Sequence, residues 1–102
     1  MKRRLAAILV ADVVGYTSLM EADEEGTAVR LAACCAVIDS QVAECEGRVF
    51  KAMGDAVLAE FASPINAVRC AAGIRSELAL GEHGVENPFR MRFGLHLERI
   101  PN

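Results

Sequence analysis

Arg48-Val49-Phe50-Lys51-Ala52-Met53-Gly54-Asp55-Ala56-Val57-Leu58-Ala59-Glu60-Phe61 is the stretch on which the fold turns. Two runs with β-branched and aromatic residues flank Gly54-Asp55, a two-residue loop with glycine first, and this predicts an antiparallel hairpin of strands Arg48–Met53 and Ala56–Phe61. Upstream, apolar residues recur at Ala28, Leu31, Cys35, Ile38, Val42 and Cys45, steps of three and four that predict one face of a helix over about 24–46. Asp23, Glu24 and Glu25 stand at its start, where the helix dipole favours negative charge, and Gly47 follows its end. Before it, residues 5–11 form a continuous apolar run ending in Asp12 and a turn at Gly15, which predicts a strand buried on both faces. After the hairpin, Ser63-Pro64 reads as an N-cap followed by proline at the first helical position. Ala67, Ala71, Ile74 and Leu78 then give a second helical stripe, ended by Gly81. Residues 82–88 read as a loop. Met91, Phe93, Leu95 and Leu97 alternate with Arg92, Gly94 and His96 in a half-buried fourth strand.

Strand, helix, strand, strand, helix, strand is the ferredoxin-like βαββαβ order, an α+β arrangement of a four-stranded antiparallel sheet with two helices on one face. Its strands stand in the order 4-1-3-2, so the exit of the first strand and the hairpin tip share one edge of the sheet. Asp12 and Asp55 therefore meet on strands about 4.7 to 4.9 Å apart, within reach of one hard cation with oxygen ligands.

The chain has 102 residues, enough for one domain over 1–102 with one core. Hydrophobic residues make up 53% and charged residues 25%, which excludes a disordered tail and, in so small a chain, leaves apolar excess for a partner chain to cover. Eleven Lys and Arg against fourteen Asp and Glu leave a net charge of −3, so there is no broad cationic field for nucleic acid or an anionic membrane. Lys2, Arg3 and Arg4 are the local exception, read as the flank of a buried strand. The apolar run behind them is shorter than the ~20 residues a membrane-crossing helix needs and has no small-residue cleavage site. A cytoplasmic location is the expectation. Cys34, Cys35, Cys45 and Cys70 show no Cys-x-x-Cys spacing and no histidine at ligand spacing, and read as core filler.

Two carboxylates at one sheet edge repel, and such pairs serve Mg²⁺ or Mn²⁺ in phosphoryl chemistry. The plainer alternatives are a turn residue at Asp12 and an ordinary hairpin aspartate at Asp55. Lys51, in a strand otherwise made of Val49, Phe50, Ala52 and Met53, either is partly buried and wants an acceptor-bearing ligand or snorkels from an edge strand. Gly15-Tyr16-Thr17-Ser18 either cradles phosphate on backbone N–H groups or is a plain turn.

Ala11-Asp12-Val13-Val14-Gly15-Tyr16-Thr17, then Phe50-Lys51-Ala52-Met53-Gly54-Asp55, then Val57-Leu58-Ala59-Glu60-Phe61, resemble in order and spacing the class III adenylate and guanylate cyclase catalytic domain. The resemblance covers nearly the whole chain and implies the N-terminal portion of such a domain, acting in cyclic-nucleotide signalling. It implies attack of the ribose 3′-hydroxyl of ATP on its α-phosphate, giving cyclic AMP and pyrophosphate, with Mg²⁺ or Mn²⁺. Carried over, Asp12 and Asp55 are the metal-binding aspartates and the Val13 carbonyl is a further ligand. Val14, Gly15, Tyr16 and Thr17 hold the β- and γ-phosphates through main-chain donors, and Lys51 selects adenine. The implied partners are ATP and a second cyclase chain, in a homodimer or heterodimer.

Several positions depart from the family pattern. Ala52 stands for the common threonine, Ala56 for a frequent glycine and Glu98 for the usual glycine after Gly94-Leu95-His96-Leu97. No catalytic residue is identifiable: the asparagine and arginine that the family sets around the transition state are absent, since the chain stops at Asn102. Asn66 and Asn87 lie in other contexts, Arg90, Arg92 and Arg99 read as solvent-facing charges, and His83 and His96 as structural. The expectation is a cyclase fragment inactive alone; the alternative is a non-catalytic nucleotide-binding or dimerisation module that regulates another cyclase. A polymerase-palm or diguanylate-cyclase relative lacks its Gly-Gly-Asp/Glu-Glu-Phe hairpin here.

Overall fold

The computed structural model describes residues 2–81 and 89–101. Its elements are β1 (Arg3–Val13), α1 (Tyr16–Ala22), α2 (Glu24–Glu44), β2 (Arg48–Met53), β3 (Ala56–Phe61), α3 (Pro64–Gly81) and β4 (Met91–Pro101). The sheet is antiparallel in the order β2-β3-β1-β4, the order expected from the sequence. The loop expected over 82–88, with His83 and Asn87, lies outside the described residues.

Burial explains the pattern in β1. Ala7, Leu9, Ala11 and Val13 lie on one face and pack with Val57, Ala59 and Phe61 of β3 against Cys34, Ile38 and Val42 of α2 and Ala67, Cys70 and Ile74 of α3. Ala6 and Ile8 on the other face are buried as well, so this central strand is covered on both sides, as its unbroken apolar run requires. On β4 the alternation is as expected, but coverage fades along the strand. Met91 and Phe93 pack on the core, whereas Leu95 and Leu97 on the same face remain 41% and 57% exposed on this edge strand. Among the described residues no helix is long and apolar enough to cross a membrane.

The helices correct the sequence reading twice. A third helix, α1, occupies the segment read as turn or loop. Gly15 leads into it in the left-handed conformation (φ 70°), which glycine adopts without steric cost, and seven residues are too few to show a helical period. Tyr16 and Leu19 pack it on the core. Asp23 then caps α2, its carboxylate accepting from the Gly26 N–H at 3.0 Å. The inward stripe of α2 is also one position off at two places: Thr27 and Cys34 are buried, not Ala28 and Cys35. The Thr27 hydroxyl donates to the Leu19 carbonyl of α1 at 2.9 Å, so its burial leaves no polar group unpaired. In α3, Ser63 does cap, accepting from the Asn66 N–H at 3.3 Å. The cysteines are all free, with Cys34 and Cys70 buried and Cys35 and Cys45 half-buried.

Candidate functional site

Pairing of Ala11 with Val57 brings the end of β1 alongside the β2–β3 turn. There the Val13 N–H donates to Asp55 Oδ2 at 3.1 Å. A hydrogen bond to a carboxylate is among the stronger kinds, and this one fixes the hairpin aspartate beside the residue that follows Asp12. Strand order thus brings Asp55 into direct contact with Val13, the residue after Asp12.

Asp12 has a partner that sequence reading missed. The Arg92 guanidinium donates from Nε to Oδ1 at 3.1 Å and from Nη2 to Oδ2 at 3.4 Å. Asp12 and Arg92 are directly opposite in the β1–β4 register, on the sheet face away from the core cluster. Arg92 is therefore not a purely solvent-facing charge, although its side chain is 69% exposed against 25% for Asp12. Eighty positions separate the two, and only the register of β4 on β1 could have revealed the pair.

Of the residues assigned to phosphate, Gly15 and Thr17 are exposed and Tyr16 is half-buried at the start of α1. The Val14 N–H is already bonded to the Arg90 carbonyl at 2.8 Å, so Val14 has no main-chain donor to spare.

Lys51 is exposed, which removes the expectation that it is partly buried. Its strand is the sheet edge, where all residues except Val49 are exposed and an apolar neighbourhood imposes no partner on a lysine. A β-bulge sets its direction. Val49 pairs with Ala59 but Lys51 pairs with Leu58, leaving Phe50 as the extra residue. Strict alternation would put Lys51 on the Val49 side; the bulge turns it to the face of Leu58 and Val10, which is also the face of Asp12.

The same face carries a charge network at the far end of the hairpin. Arg48 Nε donates to Glu60 Oε1 at 2.9 Å, and Arg4 Nη2 donates to Glu60 Oε2 at 3.3 Å. The hydrogen bond from Arg48 foremost, helped by the charges of Arg48 and Arg4, holds the Glu60 carboxyl below its usual range against the opposing effect of burial. Glu60 lies opposite Ile8, three residue pairs along β3 from Val57, so the network is separate from the aspartates.

Among the described residues no group of three or more His, Cys, Asp and Glu is placed to hold a metal ion. The chain offers two carboxylates and backbone carbonyls, hard oxygen donors suited to a hard divalent cation that takes its other ligands from water or phosphate. That donor set fits Mg²⁺ or Mn²⁺ and does not suit a soft metal.

No protein-family model matches the chain. A Rhizobium meliloti protein named "Putative adenylate cyclase 3" is 43% identical over 102 residues, covering 97% of this chain and 17% of that protein. The adenylate/guanylate cyclase/hydrolase of Silicibacter pomeroyi superposes with a TM-score of 0.84 at 33% identity, over 96% of this chain and 59% of that one. A bacterial light-regulated adenylyl cyclase superposes with a TM-score of 0.87 at 23% identity, over 97% of this chain and 56% of that one, and supports the fold. The chain thus spans a sixth of its curated relative and under two thirds of these solved structures. Over nearly all of its own length it is thus similar in sequence to an adenylate cyclase and in fold to adenylate and guanylate cyclase structures.

Proposed function

We propose that this chain is the aspartate-bearing part of an adenylate cyclase site, the N-terminal portion of a cyclase catalytic domain that converts ATP to cyclic AMP and pyrophosphate. The observation that carries the reading is the Val13 N–H bond to Asp55, which joins the hairpin aspartate to the segment holding Asp12. Asp12 and Asp55, with the Val13 carbonyl, would hold Mg²⁺ or Mn²⁺. When bound, such an ion lowers the pKa of the attacking ribose hydroxyl and neutralises charge on the departing pyrophosphate. The backbone N–H groups of Gly15 to Thr17 would hold the triphosphate. Lys51, on the Asp12 face of the sheet, supplies a donor that matches the N1 acceptor of adenine and opposes the N1–H of guanine.

In class III cyclases the site forms between two chains, so dimerisation is part of the proposal. Lys51 then serves the nucleotide held by the other chain's aspartates, in keeping with its exposed place on an edge strand. Among the described residues no asparagine or arginine stands in the family's transition-state setting. Asn66 sits in the first turn of α3, where its N–H is held by Ser63, and Arg92 is held by Asp12. Losing one preorganised transition-state donor costs about 10² to 10³ in rate and losing two that act together removes nearly all turnover, so the expected outcome is no useful cyclic AMP production by the 102-residue chain alone.

The test mixes the chain, Mn²⁺ and ATP with a full-length class III adenylate cyclase whose own metal-binding aspartates are replaced by asparagine. Cyclic AMP should form in the mixture and not with either protein alone. Manganese-dependent ATP binding without any product in the mixture would assign the chain to the non-catalytic module instead, and no such binding would remove both readings.

A further inference from the structure

We propose that Arg92 is a built-in competitor for the cation: in the metal-free chain it occupies Asp12, and a divalent ion must displace it to bind. This deepens the metal reading above and rests on it. The geometry differs between the two aspartates. Asp55 accepts from a backbone amide, a neutral donor that leaves its charge in place. Asp12 is met on both oxygens by one guanidinium, the bidentate form that Arg makes best. A divalent cation sits about 2.0 to 2.6 Å from its carboxylate oxygens, so the ion and the guanidinium compete for the same two oxygens and repel each other across them.

Two carboxylates brought to one sheet edge repel, and Arg92 cancels one of them. Its place is fixed by the fold, because Asp12 and Arg92 are cross-strand partners in an uninterrupted β1–β4 register. Exposure makes the lock weak enough to open. An exposed ion pair is worth little, and the Arg92 side chain is held by nothing else described, so release costs the cation a modest factor in affinity.

The test measures Mn²⁺ binding alone, without nucleotide, by the loss of the free-ion electron paramagnetic resonance signal. Arg92→Gln should bind Mn²⁺ about two- to fivefold more tightly than the unmodified chain, with Arg92→Lys in between because it keeps the charge and loses the fork. In an Asp12→Asn background the Arg92→Gln gain should vanish, since the competitor then has nothing to cover. Binding that falls in Asp12→Asn but is unchanged or weaker in Arg92→Gln would overturn the competition and leave the metal site standing. Binding that is absent, or undiminished in both Asp12→Asn and Asp55→Asn, would overturn the metal site and the competition with it.

Discussion

Asp55 and Val13 are joined across 42 positions by one hydrogen bond, from the Val13 amide to the Asp55 carboxylate at 3.1 Å. It makes Asp55 a structural residue as well as a candidate ligand. Asp55→Ala leaves the amide of a buried residue without its acceptor, whereas Asp55→Asn keeps an amide oxygen in its place. Urea unfolding should show a loss of about 1 kcal/mol in Asp55→Ala and a much smaller one in Asp55→Asn. Equal losses in the two variants would contradict this role for the bond.

Gly47 lies against the ring of Phe61, the largest fully buried side chain of the core. A Cβ there would fall inside contact distance of three ring carbons, and the ring is fully buried. Gly47→Ala should therefore cost about 1 to 3 kcal/mol, read as a shift of the urea midpoint with little change in slope. A shift within experimental scatter would mean that β2 and the end of α2 yield readily.

Glu60 gives a pH dependence of definite sign. Its pKa is lowered in the folded chain, so its ion pairs stabilise the fold above about pH 4.5 and are lost as the pH falls through the folded value below that. Arg48 is largely exposed, and solvent screening keeps the effect to about 0.5 to 1 kcal/mol. Glu60→Gln should be less stable than the unmodified chain at pH 7 and converge with it in acid. A constant difference across the range would contradict the assignment.

Cys70 is the opposite case. Burial, then the neighbouring Cys45, pushes its thiol up to about 12, so it stays protonated in the folded chain at ordinary pH. Cys35 is also raised, by burial and the charge of Asp39. At pH 8 iodoacetamide should modify Cys70 only as fast as the chain unfolds, with the half-buried cysteines reacting first. As the pH rises above 9 the unfolded thiol ionises first, and this drains stability until the folded value is passed. Rapid native-state labelling of Cys70 would refute its burial.

The sequence made some of these features legible and hid others for physical reasons. The hairpin was readable because Gly54-Asp55 fixes both strand ends locally, and Gly54 indeed takes the positive φ that the turn needs. The strand order, and with it the approach of Asp55 to the end of β1, followed from the element order. Helix α1 was hidden because seven residues complete fewer than two turns. The inward position of Thr27 was hidden because it depends on a hydroxyl partner in α1, a tertiary contact that polarity alone argues against. Arg92 was hidden because its partner is set by a register across 80 positions, and the facing of Lys51 because a bulge at Phe50 breaks the alternation that sequence assumes. Local rules identified the elements; the side-chain pairs belong to the packing between them.

The most direct test of the account is the thermal shift produced by Mn²⁺ with ATP in the unmodified chain and in Asp55→Asn, a variant that keeps an acceptor for Val13. A ligand that binds only the folded chain raises its melting temperature by mass action. The expected result is a rise that is larger with Mn²⁺ and ATP together than with Mn²⁺ alone and is lost in Asp55→Asn; a rise of the same size in that variant, or none in the unmodified chain, would contradict the metal site.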